Sequence, residues 1–376
     1  MKKVFWFSLL IIISLASCAT KKKDSSKSNK EKNEFILIDE KESVGEKTMK
    51  LSDLIDDYRI INFENSDSAI FRVRKPVVSK NYVAFVQGNS QPVVLFDKNG
   101  KFICKVGNIG QGPGEYSMAY DALIDEQRNK IYITEMVSEN IYVYDLEGNY
   151  ILTHKIGNLQ KSSLFLNEDG SISVVSLAFG DLAEPLTAAT VGRDSIKRLV
   201  YPPLISNCRD QSGRGVGFDN EVWVYRNSDN NGFMMTFNDT LYNYDPVKNI
   251  VSPRAFLKEK SSKNPESWYL GLELPKAIVY NIVGPEGRTI WYDKVTEEIS
   301  KMNIVNDFLG NAPVSTGSFR DGYFVQVWEP GQLIDRIQER WLPQNDMTTQ
   351  QRDDLNSLLS ELNPDENNIM LIGRLK

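Results

Sequence analysis

Few side chains in this sequence could do covalent chemistry. There is one histidine among 376 residues, and there are three cysteines. His154 alternates with Leu152 and Ile156 in a strand-like run, so it reads as an outer-strand packing residue. A single imidazole excludes multi-histidine zinc sites and the helical His-Glu-x-x-His pair. A Ser-His-Asp triad would have to use His154, and no Gly-x-Ser-x-Gly elbow is present. No catalytic residue is therefore assigned. What remains is a set suited to binding. Arg72, Arg74, Arg209, Arg214 and Arg320 fall in predicted loops or at strand starts, where guanidinium groups could hold a carboxylate or a sulfated glycan. The commoner role for each singly is a surface ion pair. Trp268 sits in a polar stretch (NPESWY) and could stack on a sugar or peptide. Glu115 and Tyr116 close a glycine-rich block and complete the ligand-binding candidates. No metal ligands are assigned. Calcium held by Asp, Glu and Asn is the one cofactor the composition leaves open, and no EF-hand loop is present.

The block itself reads GNIGQGPGEY over residues 107–116. Its glycines and proline suit a tight turn between strands. No Lys-Ser/Thr follows, and no strand and helix flank it, so a phosphate-binding loop is not expected.

Composition sets the wider bounds. Hydrophobic residues are 41% and charged residues 25%, which is ordinary for a folded domain and excludes collagen, disorder and a multi-span membrane protein. The first eighteen residues, MKKVFWFSLLIIISLASC, carry a basic start and an apolar run too short for a comfortable membrane span. Small residues then precede Cys18, a pattern that resembles the bacterial lipobox, in which the cysteine is lipidated and begins the mature chain. Acyl chains bury about 0.8 kcal/mol per CH₂, so several on one cysteine would hold the protein at a membrane. Residues 1–17 are thus expected to be a signal peptide, and 18–33 a lipidated cysteine with a Lys/Ser-rich tether. The formal charge is −6, and these leading segments contribute +6, leaving −12 on residues 34–376. An acidic body argues against nucleic acid as a partner.

The elements that must position the candidates repeat. VVLFDKNGKFICKVG and IYVYDLEGNYILTHKIG both read as alternating strand, Asp, glycine turn, alternating strand. Turn aspartates at Asp97, Asp145, Asp194, Asp245 and Asp293 recur at intervals of 48, 49, 51 and 48, Asp194 being the poorest match. A unit of about fifty residues without a long helix suits four short strands, one propeller blade. Residues 120–124, 130–134, 141–145 and 150–156 make one such blade from axis to rim. Residues 332–341 and 348–362 are helix-like; Thr348 and Gln351 form a capping box, and Leu355, Leu358, Leu359 and Leu362 make an apolar stripe. Allowing for this insertion, the chain is predicted to be all-β, a six-bladed β-propeller over residues 34–376. Residues 34–39 or 59–64 would lend the strand that closes the ring. Cys104 and Cys208 then fall about two blades apart, too far for a disulfide.

Together the hairpin FDKNGKF, the GQGPGEY block, the early LSDLIDDYRIINFE segment, the YDK hairpin and the final strand resemble NHL-like and TolB-like propellers, and more closely the six-bladed β-propeller lipoproteins of Bacteroidota. The resemblance covers most of residues 35–376, although the Gly-Pro-Gly-Glu block does not recur in the later blades. It implies a fold and an envelope location, not an activity. The expectation is a membrane-anchored, non-catalytic module binding an envelope protein, peptide or glycan. The anchor would be its only contact with the membrane, on the periplasmic side of an outer membrane or at the cell surface, and its body is expected to be monomeric. The alternatives are a carboxylate- or metal-dependent lyase or hydrolase at the central channel, and a scaffold in an envelope complex.

Overall fold

The computed structural model describes residues 34–88, 90–208, 220–236, 238–259, 267–344 and 347–376. They form a ring of six four-stranded antiparallel blades, a β-propeller. Blade 1 runs outward through Lys75–Val78, Tyr82–Val86, Val93–Asp97 and Phe102–Val106. Blade 2 uses Ala119–Asp125, Lys130–Glu135, Val137–Tyr144 and Tyr150–Gln160, close to the strands read from the sequence. Blade 3 uses Ser163–Leu166, Ile172–Val175, Ala188–Val191 and Ile196–Leu199. The innermost strands of blades 4 and 5 are Val222–Trp223 and Trp268–Glu273, and their outermost are Ile250–Lys258 and Ile299–Asn306.

The recurrent aspartate sits between the third and fourth strands and organises the turn there. Asp97 Oδ1 accepts from the N–H groups of Asn99 and Lys101, and Asp145 Oδ1 from those of Glu147 and Asn149. Asp245 and Asp293 do the same for the residues two and three beyond them. In the first two turns a glycine, Gly100 (φ 86°) or Gly148 (φ 88°), supplies the left-handed position. Asp194 departs from this pattern: its turn is closed by the Gly192 N–H donating to the Ser195 carbonyl.

Three N-terminal strands take three different blades. The last of them, β3 (Ile55–Asn62), closes the ring as the outermost strand of blade 6, antiparallel to Ile369–Leu375, which pairs on its other side with Tyr323–Trp328, itself paired to the innermost Phe319–Arg320. Of the two candidate closing segments, 59–64 therefore overlaps the one that closes. The other, β1 (Ile36–Asp39), instead adds a fifth, parallel strand to blade 4, and β2 (Glu46–Lys50) does the same for blade 5. A propeller's outer strands are exposed edges, and these additions cover two of them.

Alternating strands are apolar on both faces because each blade packs on two neighbours. Among the described residues the buried side chains gather into six clusters, one for each seam. The seam between blades 6 and 1 holds Ile61, Met370 and Ile372 against Phe85 and Phe96. Each such side chain contributes about 1.5–3 kcal/mol through burial, so closure rests on packing as well as strand pairing. Two helices interrupt blade 6, α1 (Pro330–Arg336), continued by a wider turn to Trp341, and α2 (Thr349–Glu361). Thr348 and Gln351 cap α2 reciprocally, and Leu355 and Leu358 are buried in the seam between blades 5 and 6. No helix of the described residues is long and apolar enough to cross a membrane.

Candidate functional site

The innermost strands bring together charged residues that are far apart in the sequence. At the centre lies Asp121, from the innermost strand of blade 2, completely buried. Its Oδ1 is 2.8 Å from Lys75 Nζ of blade 1, and its Oδ2 is 3.0 Å from Arg226 Nη1 of blade 4. Arg226 Nε also reaches Asp321 Oδ1 of blade 6 at 2.5 Å, and its Nη1 donates to the Leu164 carbonyl of blade 3. Asp321 Oδ2 in turn accepts the Val78 N–H, and Asp121 Oδ2 accepts that of Leu164. Five blades thus meet on one guanidinium and two carboxylates. Arg226 holds a left-handed backbone (φ 55°), a conformation that costs roughly 1–3 kcal/mol for a long side chain and persists only where the surroundings fix it.

Electrostatics follow from this geometry. Burial alone would raise the Asp121 carboxyl, but Arg226 and Lys75 beside it hold it below the usual carboxylate range. Burial pushes the Lys75 ammonium down to about 8, against the pull of Asp121. Burial also lowers Arg320, whose Nη1 donates to the Pro76 carbonyl and whose guanidinium lies 6.0 Å from the centre of the Tyr225 ring.

Around the entry ends of the innermost strands the surroundings change. Arg74 lies over the Tyr120 ring, 4.6 Å from its centre, and forms no ion pair with a described carboxylate, although its charge is felt at Glu221. Lys161, at the entry to blade 3, donates to the Asn220 carbonyl and pairs with Glu221 Oε1 at 2.9 Å. Burial raises the Glu221 carboxyl in spite of Arg74 and Lys75 nearby. Trp223 and Trp268, which begin or lie near the start of the innermost strands of blades 4 and 5, pack ring against ring with centroids 5.7 Å apart. The entry ends of the innermost strands, the mouth of the ring, thus carry cationic and aromatic groups. That arrangement can hold an anionic group against guanidinium and ring faces.

Of the residues singled out from sequence, Arg74 and Arg320 reach the axis. Trp268 lies in the half-buried Trp pair described above. Arg72 is exposed, and its backbone N–H donates to the Gln87 side chain. Arg209, Arg214 and Cys18 lie outside the described residues. Tyr116 is a correction: it is a core residue, 1% exposed, whose hydroxyl donates to the Val106 carbonyl and accepts the Val93 N–H. It joins blade 1 to the following loop and cannot meet a ligand. Glu115 lies elsewhere, in a cleft away from the axis. Cys104 and Cys208 are not joined in a disulfide; burial pushes the Cys104 thiol up to about 11, and Cys208 Sγ lies 2.9 Å from Asp181 Oδ2. His154 is half-buried on the outer strand of blade 2, where burial lowers it. Among the described residues no group of three or more His, Cys, Asp or Glu side chains is placed to hold a metal ion.

Lys75, Asp121, Lys161, Glu221, Arg226 and Asp321 were not singled out from sequence. One signal was available for Asp121: it is a lone charge in an otherwise apolar run, AYDALI, that reads as a fully buried strand.

Comparison with known proteins supports the ring. No curated protein matches the chain. A crystal structure of a Bacteroides fragilis protein classed by inference as exported superposes with a TM-score of 0.60 at 14% identity, covering 91% of this chain and 100% of that one. A member of the DUF4221 family from Bacteroides vulgatus gives 0.46 at 12% identity, covering 86% and 97%. A virginiamycin B lyase from Staphylococcus aureus gives 0.37 at 11% identity, covering 65% and 88%. At these identities the first likeness speaks to fold, and the other two carry no argument. A family model described as a domain of unknown function, DUF4934, matches residues 35–374, and the chain belongs to that family.

Proposed function

We propose that this chain is a lipid-anchored protein of the bacterial envelope whose propeller is a non-catalytic binding module, receiving a carboxylate or sulfate group of a protein, peptide or glycan at the axial mouth. The observation that carries this reading is Arg74. Its guanidinium lies on Tyr120 and forms no ion pair with a described carboxylate, while the buried axial carboxylates are held by Arg226 and Lys75. A guanidinium lying on an aromatic ring keeps donors free for a planar anion. The axial ion pairs are committed to holding blades together, which favours recognition over proton transfer.

The test is a panel of acidic peptides and sulfated glycans, followed by titration of any hit. Arg74→Ala should weaken binding about tenfold or more, equivalent to ~1.4 kcal/mol. A blank panel, or a hit bound equally by the variant, would count against the site. A lyase or hydrolase at the same channel is favoured by one observation, the raised carboxyl of Glu221, a property useful to a general acid. It requires a substrate whose turnover is lost in Glu221→Gln.

A further inference from the structure

A second cleft, of about 560 Å³, lies away from the axis between the glycine-rich loop and the two outer strands of blade 2. Six side chains define its chemistry: Glu115, Glu135, Asn140, Tyr142, Tyr150 and Thr153.

The loop is built for more than a turn. Of its central glycines, Gly114 alone has a left-handed backbone (φ 73°), and a Cβ there would come within 2.3 Å of the Tyr150 ring. Gly110 and Gly112 need no special backbone. A Cβ on Gly110 would lie 2.0 Å from Glu115 Oε2, and one on Gly112 3.1 Å from the same atom. These glycines make room for a carboxylate. The Gly112 N–H then donates to Glu115 Oε2 at 2.8 Å, while Glu115 Oε1 accepts nothing from the described residues. Across the cleft Glu135 is only 8% exposed. Its Oε1 accepts from the N–H and hydroxyl of Ser117, and its Oε2 accepts from the Tyr142 hydroxyl at 3.0 Å.

Both carboxylates lack a counter-charge. Neither forms an ion pair with a described lysine or arginine, and no cationic residue lines the cleft. The contrast with Asp121, which has two cations on it, is sharp: a buried carboxylate is stabilised by a positive partner, and here the fold supplies only neutral donors. The Tyr150 ring, 43% exposed, adds an aromatic surface beside them.

We propose that this cleft is a ligand site for a cationic nitrogen group, an ammonium or guanidinium carried by a free amine or by a lysine or arginine side chain of a peptide. The cation takes the open Glu115 Oε1, lies in the field of Glu135, and rests against the Tyr150 ring. Anionic ligands are repelled, so this site and the axial mouth select opposite charges.

Isothermal titration of the full chain in detergent would use spermidine and N-acetyl-lysine amide, with methyl glucoside, acetate and calcium chloride as controls. Saturable binding of both amines is expected, suppressed by high salt and weakened about tenfold in Glu115→Gln and in Tyr150→Ala. Tyr150→Phe, which keeps the ring, should bind as the parent does. Tighter binding of the lysine amide points to a peptide source, and tighter binding of spermidine to a free amine. No saturable binding of any amine, amine binding unchanged by Glu115→Gln in a folded variant, or preference for the sugar or for calcium would each overturn the proposal.

Discussion

Lys75 holds a charge at a cost that pH can reveal. Its folded-state pKa is pushed down by burial to about 8, below an unfolded value of about 10.4. Between these values the unfolded chain holds a proton that the folded chain has released. Raising the pH across that window therefore stabilises the folded state. Below pH 8 the ammonium is charged in both states and bears its full burial cost. Chemical denaturation of the parent and of Lys75→Met, run from about pH 8 to about pH 10, should show the parent gaining stability relative to the variant. A constant difference across that range would refute the buried ammonium. This axial group was scarcely legible in sequence, because its members come from different blades and are separated by tens of residues. Only Asp121 broke the pattern of its own strand. The arginines were legible as a type, but sequence could not tell Arg74 and Arg320 at the axis from exposed Arg72.

At the scale of elements the sequence was much more readable. The aspartate turns marked the period because all but that of Asp194 are local devices: one side chain satisfies two backbone N–H groups within four residues. The capping box of α2 was readable for the same reason. The destinations of β1 and β2 were not, since parallel pairing to a strand more than two hundred residues away leaves no mark in a short window. Their roles can be separated by truncation. Loss of residues 34–50 keeps β3, so the ring should remain closed and folded. It should self-associate more readily, because the edges of blades 4 and 5 are bared. Loss of residues 34–62 removes β3 together with Ile55 and Ile61 from two seams, and cooperative unfolding should disappear. Size-exclusion chromatography and thermal melts distinguish the two; an unchanged melt in the longer truncation would show that β3 does not close the ring.

At the scale of the whole molecule, the proposed anchor and the ring make separate claims. Under the lipidation reading, Cys18→Ala releases the protein from membranes while leaving the melt of the ring unchanged. Retention in the membrane fraction would refute it. The charge balance also acquires a meaning. A body of charge −12 repels anions on average, so a cationic mouth at its axis is a local exception that must be built by strand geometry. The cleft on blade 2 needs no such exception, being acidic in an acidic body.

The closing pair sets a timetable. Ile61 pairs with Met370, 309 positions further along the chain. During synthesis the early strand exists long before its partner, and bringing such distant segments together carries a large loop-closure entropy. Blade 6 therefore stays three-quarters built or less until Ile369–Leu375 emerges. The seams on either side of it cannot lock before then. Closure of this ring waits on that strand, and a chain cut short before residue 369 would be left with an open seam and bare strand edges, a species prone to aggregate.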